Sequence, residues 1–257
     1  VTLPAQSKAT SDPITNPIAN PIIIALDVET AAEARTLVHA IGDAVSFYKV
    51  GLELFTAAGM DLVRELRGQG HRVFLDLKFH DIGETVKRAV AQVARAEADF
   101  LTVHATHGVM QAAVAGRAAG NPESALKLLA VTVLTSVDEN DLRLDGYCMS
   151  GNAVNVPELV ALRVKNAMQD GIEGIVCSAL EVARVRAITG PGAILVVPGV
   201  RSAGAAVGDQ KRVATPAEAI ANGATHVVVG RQVTRAADPR GEALKVLEEI
   251  RAGAAAR

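Results

Sequence analysis

The chain has 257 residues, 49% hydrophobic and 21% charged, with a formal net charge of −2. These proportions supply a sizeable core and exclude disorder along the whole chain. Acids and bases are interspersed, so the clustered basic face expected of a nucleic-acid binder is missing, and no apolar run approaches the length of a transmembrane helix.

Residues 1–20 are rich in Ser, Thr, Asn and Pro and lack the basic and apolar regions of a signal peptide, so they are expected to be a mobile arm without catalytic chemistry. Residues 21–257 show a different pattern. Eight short apolar runs follow one another: Ile22–Val28, Val45–Val50, Arg72–Leu77, Asp99–His104, Leu126–Leu134, Gly174–Cys177, Ala193–Val197 and Thr225–Val229. Continuous Val/Ile/Leu runs of this length suit parallel strands covered on both faces. Helical stripes lie between them, including Leu62, Val63 and Leu66, then Ile82, Val86, Ala89, Val90 and Val93, and finally Leu244, Leu247 and Ile250. Strand and helix alternating eight times predict an α/β protein, a single-domain (β/α)₈ TIM barrel.

Such a barrel carries its site at the C-terminal ends of its strands. The residues ending the runs are Asp27, Lys49, Asp76 with Lys78, His104, Thr135 with Ser136, and Gly230 with Arg231. The densest group is Asp76-Leu-Lys78-Phe-His-Asp81. Strand alternation puts Asp76 and Lys78 on one face, and Asp81 is expected to open the next helix, where a carboxylate complements the dipole. A lysine between two carboxylates is held charged, which suits a proton donor rather than a Schiff-base nucleophile. Elsewhere in a protein such a triplet would usually be a salt bridge and a helix cap. Its place at a barrel mouth favours chemistry.

Gly230-Arg231 follows the eighth run, where these barrels often bind phosphate; glycine permits close backbone approach and arginine matches phosphate oxygens. Arg201 follows the seventh run, and a Gly/Ala-rich segment from 199 to 209 ends at Gln210. Cys148 and Cys177 fit no zinc or redox spacing, and Cys177 reads as a buried thiol in a reducing cytoplasm. His39, His71 and His226 read as structural or solvated, His104 as a hydrogen-bonded barrel residue, and His80 as a minor candidate for ligand contact. No His/Asp/Glu spacing demands a metal.

The Asp-x-Lys-x-x-Asp motif, with Ala25-Leu-Asp27, Tyr48-Lys-Val-Gly51, Val133-Leu-Thr-Ser136, Val197-Pro-Gly-Val-Arg201, Gly208-Asp-Gln210 and Gly230-Arg231 in that order, resembles the orotidine 5′-phosphate decarboxylase family. The resemblance implies conversion of orotidine 5′-monophosphate to uridine 5′-monophosphate in pyrimidine biosynthesis, without cofactor or metal. It implies that Lys78 protonates C6 as CO₂ leaves, with Asp76 holding Lys78 near the substrate carboxylate. Lys49 and Asp27 would contact the ribose, Thr135 and Ser136 would read the pyrimidine edge, and Gly230 and Arg231 would hold phosphate. Pro198, Arg201 and Gln210 would bind substrate within a lid segment. Asp81 and Thr85 would reach the neighbouring subunit's site in a homodimer with shared sites. The family commonly reads Asp-Ile-Pro-Asn-Thr where this chain has Asp81-Ile-Gly-Glu-Thr85, and Gly83 loosens a helix start that proline would fix. Two rivals stand beside this reading. One is a Mg²⁺-dependent sugar-phosphate decarboxylase or aldolase, which carries a carboxylate where Lys49 stands here. The other is a nucleotide-binding barrel without catalysis.

Overall fold

The runs become strands because each is buried on both faces. In this computed structural model, which describes residues 20–134, 137–147, 155–203 and 214–255, eight parallel strands close into a barrel in chain order. They are β1 (Ile22–Ala25), β2 (Phe47–Gly51), β3 (Arg72–Phe79), β4 (Phe100–His104), β5 (Lys127–Val131), β6 (Gly174–Val176), β7 (Ile194–Pro198) and β8 (His226–Val229). Helices α1 (Ala31–Ile41), α2 (Leu52–Gly68), α3 (Gly83–Arg95) and α4 (His107–Gly120) follow the first four strands. Two helices, α5 (Glu139–Leu144) and α6 (Val156–Gln169), lie between β5 and β6. Then come α7 (Val182–Thr189), α8 (Pro216–Ala221), α9 (Arg231–Thr234) and α10 (Pro239–Ala255). The expected arm (all but Asn20), Thr135, Ser136, Cys148 and Gln210 lie outside the described residues.

Several strands stop earlier than their apolar runs. Pairing ends at Ala25 and Val131, although Leu26 and Thr132 remain buried. Burial extends past the assigned strand ends, so a reading based on apolarity overruns them.

Alternation sorts the strand residues into two sets. The outward set packs with the helices in one large core. The inward set fills the barrel: Ile23, Ala25, Phe47, Phe74, Phe100, Leu129, Ile194, Val196 and Val228. Following the inward positions toward the C-terminal ends, the chemistry changes. Ile23 and Ala25 give way to Asp27, Phe47 to Lys49, Phe74 to Asp76, and Phe100 to Thr102 and His104. The lower half of the barrel is therefore a packed plug and the upper half a polar cup. The plug is closed below by the Arg72 guanidinium, 4.0 Å from the Phe47 ring centroid, which together with Arg67 pairs with Asp99. His226 stands edge-on to Phe47 and Phe100; burial pushes it down to about 3, so it is a neutral core side chain.

Helices α3 and α4 approach each other backbone to backbone. A β-carbon at Gly116 would collide with the backbone of Lys87, and one at Gly120 with that of Ala91. Val86, Val90 and Val93 of the expected α3 stripe are buried, but Ile82 is 76% exposed, because it precedes the helix and stands on the rim.

Candidate active site

Four charged side chains alternate in sign across the floor of the cup. Lys49 Nζ lies 2.8 Å from Asp27 Oδ1 and 3.9 Å from Asp76 Oδ2, and Lys78 Nζ lies 2.8 Å from Asp76 Oδ1. Lys49 is the most enclosed, with its side chain 11% exposed, while that of Lys78 is 30% exposed and faces the opening. The enclosed charges, Lys49 and Asp76, hold their geometry because each is paired, and each ammonium of the row has a carboxylate beside it. Gly51, paired with Asp76 in the β2–β3 register, makes room for the row. A β-carbon there would sit 3.0 Å from Lys49 Nζ and 3.4 Å from Asp27 Oδ1.

Asp76 and Lys78 share the cup, as expected, but simple alternation is not what brings them together. β3 pairs Leu75 with Leu101 and Phe79 with Val103, so four steps along β3 answer two along β4. The strand bulges between these pairs, and Lys78 takes a left-handed backbone, φ 49°. Thr102 stabilises the bulge. Its hydroxyl accepts from the Lys78 N–H at 2.9 Å and donates to Asp76 Oδ1 at 3.0 Å. Nothing in the sequence distinguished Thr102 from any other β-branched strand residue.

The expected place of Asp81 needs correction. The helix after β3 begins at Gly83 with Ile82 at its cap, so the acid in its first turn is Glu84. Asp81 is exposed on the rim, its carboxylate accepting the Ile82 N–H at 2.6 Å. Within one chain the Lys78 ammonium pairs with Asp76, and Asp81 stands outside that ion-pair row. Asp81, Thr85, His80 and Lys78 instead line a cleft of about 380 Å³ with Leu52 and Phe55 of α2.

Of the remaining expected residues, Pro198, Arg201, Gly230 and Arg231 are described, at the ends of β7 and β8. Pro198 ends β7 and pairs with Val228. The Arg201 N–H donates to Ala214 O at 3.1 Å, closing the base of the loop after β7. Gly230 caps α9, and Arg231 begins it, exposed at the opening. A β-carbon at Gly230 would meet Ala25 Cβ at 3.8 Å, ordinary contact, so the described neighbours leave room above this backbone. Two side chains not singled out from sequence hold these loops. Gln232 accepts from Ser202 N at 3.0 Å and donates to Ser202 Oγ at 2.9 Å, tying the β7 loop to the β8 loop. Arg163 of α6 donates to Thr132 O and, at 3.1 Å, to Tyr147 Oη, joining the end of β5 to the end of the α5 loop.

His104 packs against His80 with ring centroids 5.1 Å apart. Burial, and then the nearby charges of His80, Arg163 and Lys78, lower it from the usual imidazole range. This favours a neutral ring beside the ammonium. Cys177 is buried as expected, and burial raises its thiol far above the ordinary value.

Residues 20–246 match the sequence model of the "Orotidine 5′-phosphate decarboxylase / HUMPS family". The chain belongs to this family. Among its relatives is the orotidine 5′-phosphate decarboxylase of Methylobacterium nodulans, 51% identical over 240 residues, covering 93% of this chain and 99% of the relative. That of Afipia carboxidovorans is 51% identical over 230 residues, 89% of this chain and 94% of the relative. The crystal structure of orotidine 5′-phosphate decarboxylase from Lactobacillus acidophilus superposes with a TM-score of 0.79 at 36% identity, covering 90% of this chain and 99% of that one. The family match spans every strand of the barrel and every residue of the Asp27–Lys49–Asp76–Lys78 row.

Proposed function

We propose that the protein decarboxylates orotidine 5′-monophosphate to uridine 5′-monophosphate, with Lys78 as the proton donor. The observation that carries this reading is the row of alternating charges. In the reaction the C6–carboxylate bond breaks, CO₂ departs, and the electron pair stays on C6. The carbanion lies in the ring plane with little delocalisation, so it needs fixed positive charge close by. The Lys78 ammonium supplies that charge and then its proton, forming the C6–H bond, and the amine regains a proton from solvent. Asp76 holds Lys78 and would sit near the substrate carboxylate. Lys49 and Asp27, at the other end of the row, suit the ribose.

The row also argues against the sugar-phosphate alternative. A divalent cation would need the carboxylates of Asp27 and Asp76, and the Lys49 ammonium already stands between them, paired with both. Turnover of orotidine 5′-monophosphate, followed by pyrimidine absorbance, is expected to be unchanged after prolonged treatment with EDTA. Loss of activity restored by Mg²⁺ would hand the site to the metal-dependent reading.

Gly230 and Arg231 are proposed to hold the phosphate, with Pro198, Arg201, Gln210, Thr135 and Ser136 around the rest of the nucleotide. Gly230 leaves the backbone at the end of β8 open to close approach by a ligand, and Arg231 beside it supplies paired donors for phosphate oxygens. Replacing Arg231 by alanine should therefore weaken uridine 5′-monophosphate binding by about 1.5–3 kcal/mol, the scale of a charge-assisted hydrogen bond, and leave uridine binding nearly untouched. Calorimetry on both ligands would check this, and equal losses would remove Arg231 from the phosphate site.

Residues 21–257 are proposed to act as one decarboxylase domain and 1–20 as an arm outside it. A homodimer with shared sites is supported by the exposed Asp81 and Thr85 and by apolar Ile82 and Leu52 beside them, 76% and 60% exposed. A cytoplasmic setting fits the free thiol of Cys177.

A further inference from the structure

Thr102 is fully buried on the inward side of β4, directly beneath Lys78. Valine would satisfy the strand and the burial equally well. The hydroxyl therefore has a job that packing does not explain, and its two hydrogen bonds identify it. A threonine hydroxyl carries one proton and two lone pairs. Here the proton goes to Asp76 Oδ1, the oxygen that also receives Lys78 Nζ, and a lone pair receives the Lys78 backbone N–H. The bulge has carried that N–H off the regular strand ladder, so the hydroxyl replaces the strand partner. One oxygen atom thus fixes the left-handed Lys78 backbone and the Asp76 carboxylate at once, and between them the position of the ammonium.

We propose that Thr102 is a positioning residue for the decarboxylation, acting through Lys78 and Asp76 and not by touching substrate; this rests on the role given to Lys78 above. A donor displaced by a fraction of an ångström loses much of its rate advantage while the nucleotide still binds. The loss belongs in kcat.

The test compares Thr102→Val, which keeps the shape and removes the hydroxyl, with Thr102→Ser, which keeps the hydroxyl. In the full-length enzyme Thr102→Val is expected to lower kcat by about tenfold or more, with KM and uridine 5′-monophosphate affinity within about threefold of wild type. Hydrogen exchange at the Lys78 amide should accelerate, because its acceptor is gone. Thr102→Ser should recover most of the rate and the protection. If Thr102→Val does not fold, Thr102→Ala against Thr102→Ser makes the same comparison. The proposal is overturned if Thr102→Val keeps wild-type kcat beside an inactive Lys78→Ala control, if serine and valine lose equally, or if the loss falls wholly in KM. A Lys78→Ala enzyme that stays active overturns the proton-donor reading, and the positioning role with it.

Discussion

Replacing Lys78 by alanine is expected to lower decarboxylation at least a hundredfold while the barrel stays folded. A positioned general acid contributes about 10²–10⁴-fold, and Lys78 supplies the electrostatic stabilisation of the carbanion as well, so the loss should lie at or beyond the upper end. Folding survives because the lesion is local. Asp76 retains the Thr102 hydroxyl at 3.0 Å and the Lys49 ammonium at 3.9 Å, and the Lys78 backbone N–H retains its bond to Thr102. Circular dichroism and uridine 5′-monophosphate binding would establish the fold, and single-turnover assays the rate. A folded variant that keeps more than about a hundredth of the wild-type rate would remove Lys78 from its role.

Mixing two inactive variants is expected to restore activity. The carboxylate anticipated on the far side of Lys78 is not provided by Asp81 of the same chain, which lies exposed on the rim with its oxygen on the Ile82 N–H. A two-fold dimer that sets this rim against its neighbour's mouth would bring Asp81 to the partner's Lys78. If Lys78→Ala and Asp81→Ala chains are dissociated, mixed and reassociated, half the dimers are mixed. Each mixed dimer concentrates both lesions in one site and leaves the other intact, so about a quarter of all sites recover. With Asp81 acting in its own subunit, every site keeps a lesion and nothing returns. Native mass spectrometry would verify that mixed dimers are present.

Much of this arrangement was legible because a parallel barrel writes it plainly. Strands buried on both faces appear as apolar runs, and each inward row announces its emergence from the core by turning polar, as Phe47 to Lys49 and Phe74 to Asp76 do. The bulge was hidden because no glycine marks it; the left-handed residue is Lys78 itself. Thr102 was hidden because threonine is an ordinary strand residue. Arg163 and Gln232 act on partners 31 and 30 residues away, beyond the reach of local pattern. Some signals were present but unread. Thr30-x-x-Glu33 and Thr215-x-x-Glu218 each form a capping box, and they place the starts of α1 and α8 to the residue.

The close contact of α3 with α4 changes what Gly83 means for the rim. At Gly83 a β-carbon would meet Ala112 Cβ at 3.6 Å, ordinary contact, so a side chain would fit and the helix start is simply left loose. Farther along, Gly116 and Gly120 admit no side chain, because the α3 backbone occupies the space. The helix is thus held most tightly downstream, with Asp81 and Thr85 at its rim end. In a shared-site dimer a methyl group added at position 116 would be felt across the subunit boundary, by a neighbour whose own residues are all intact.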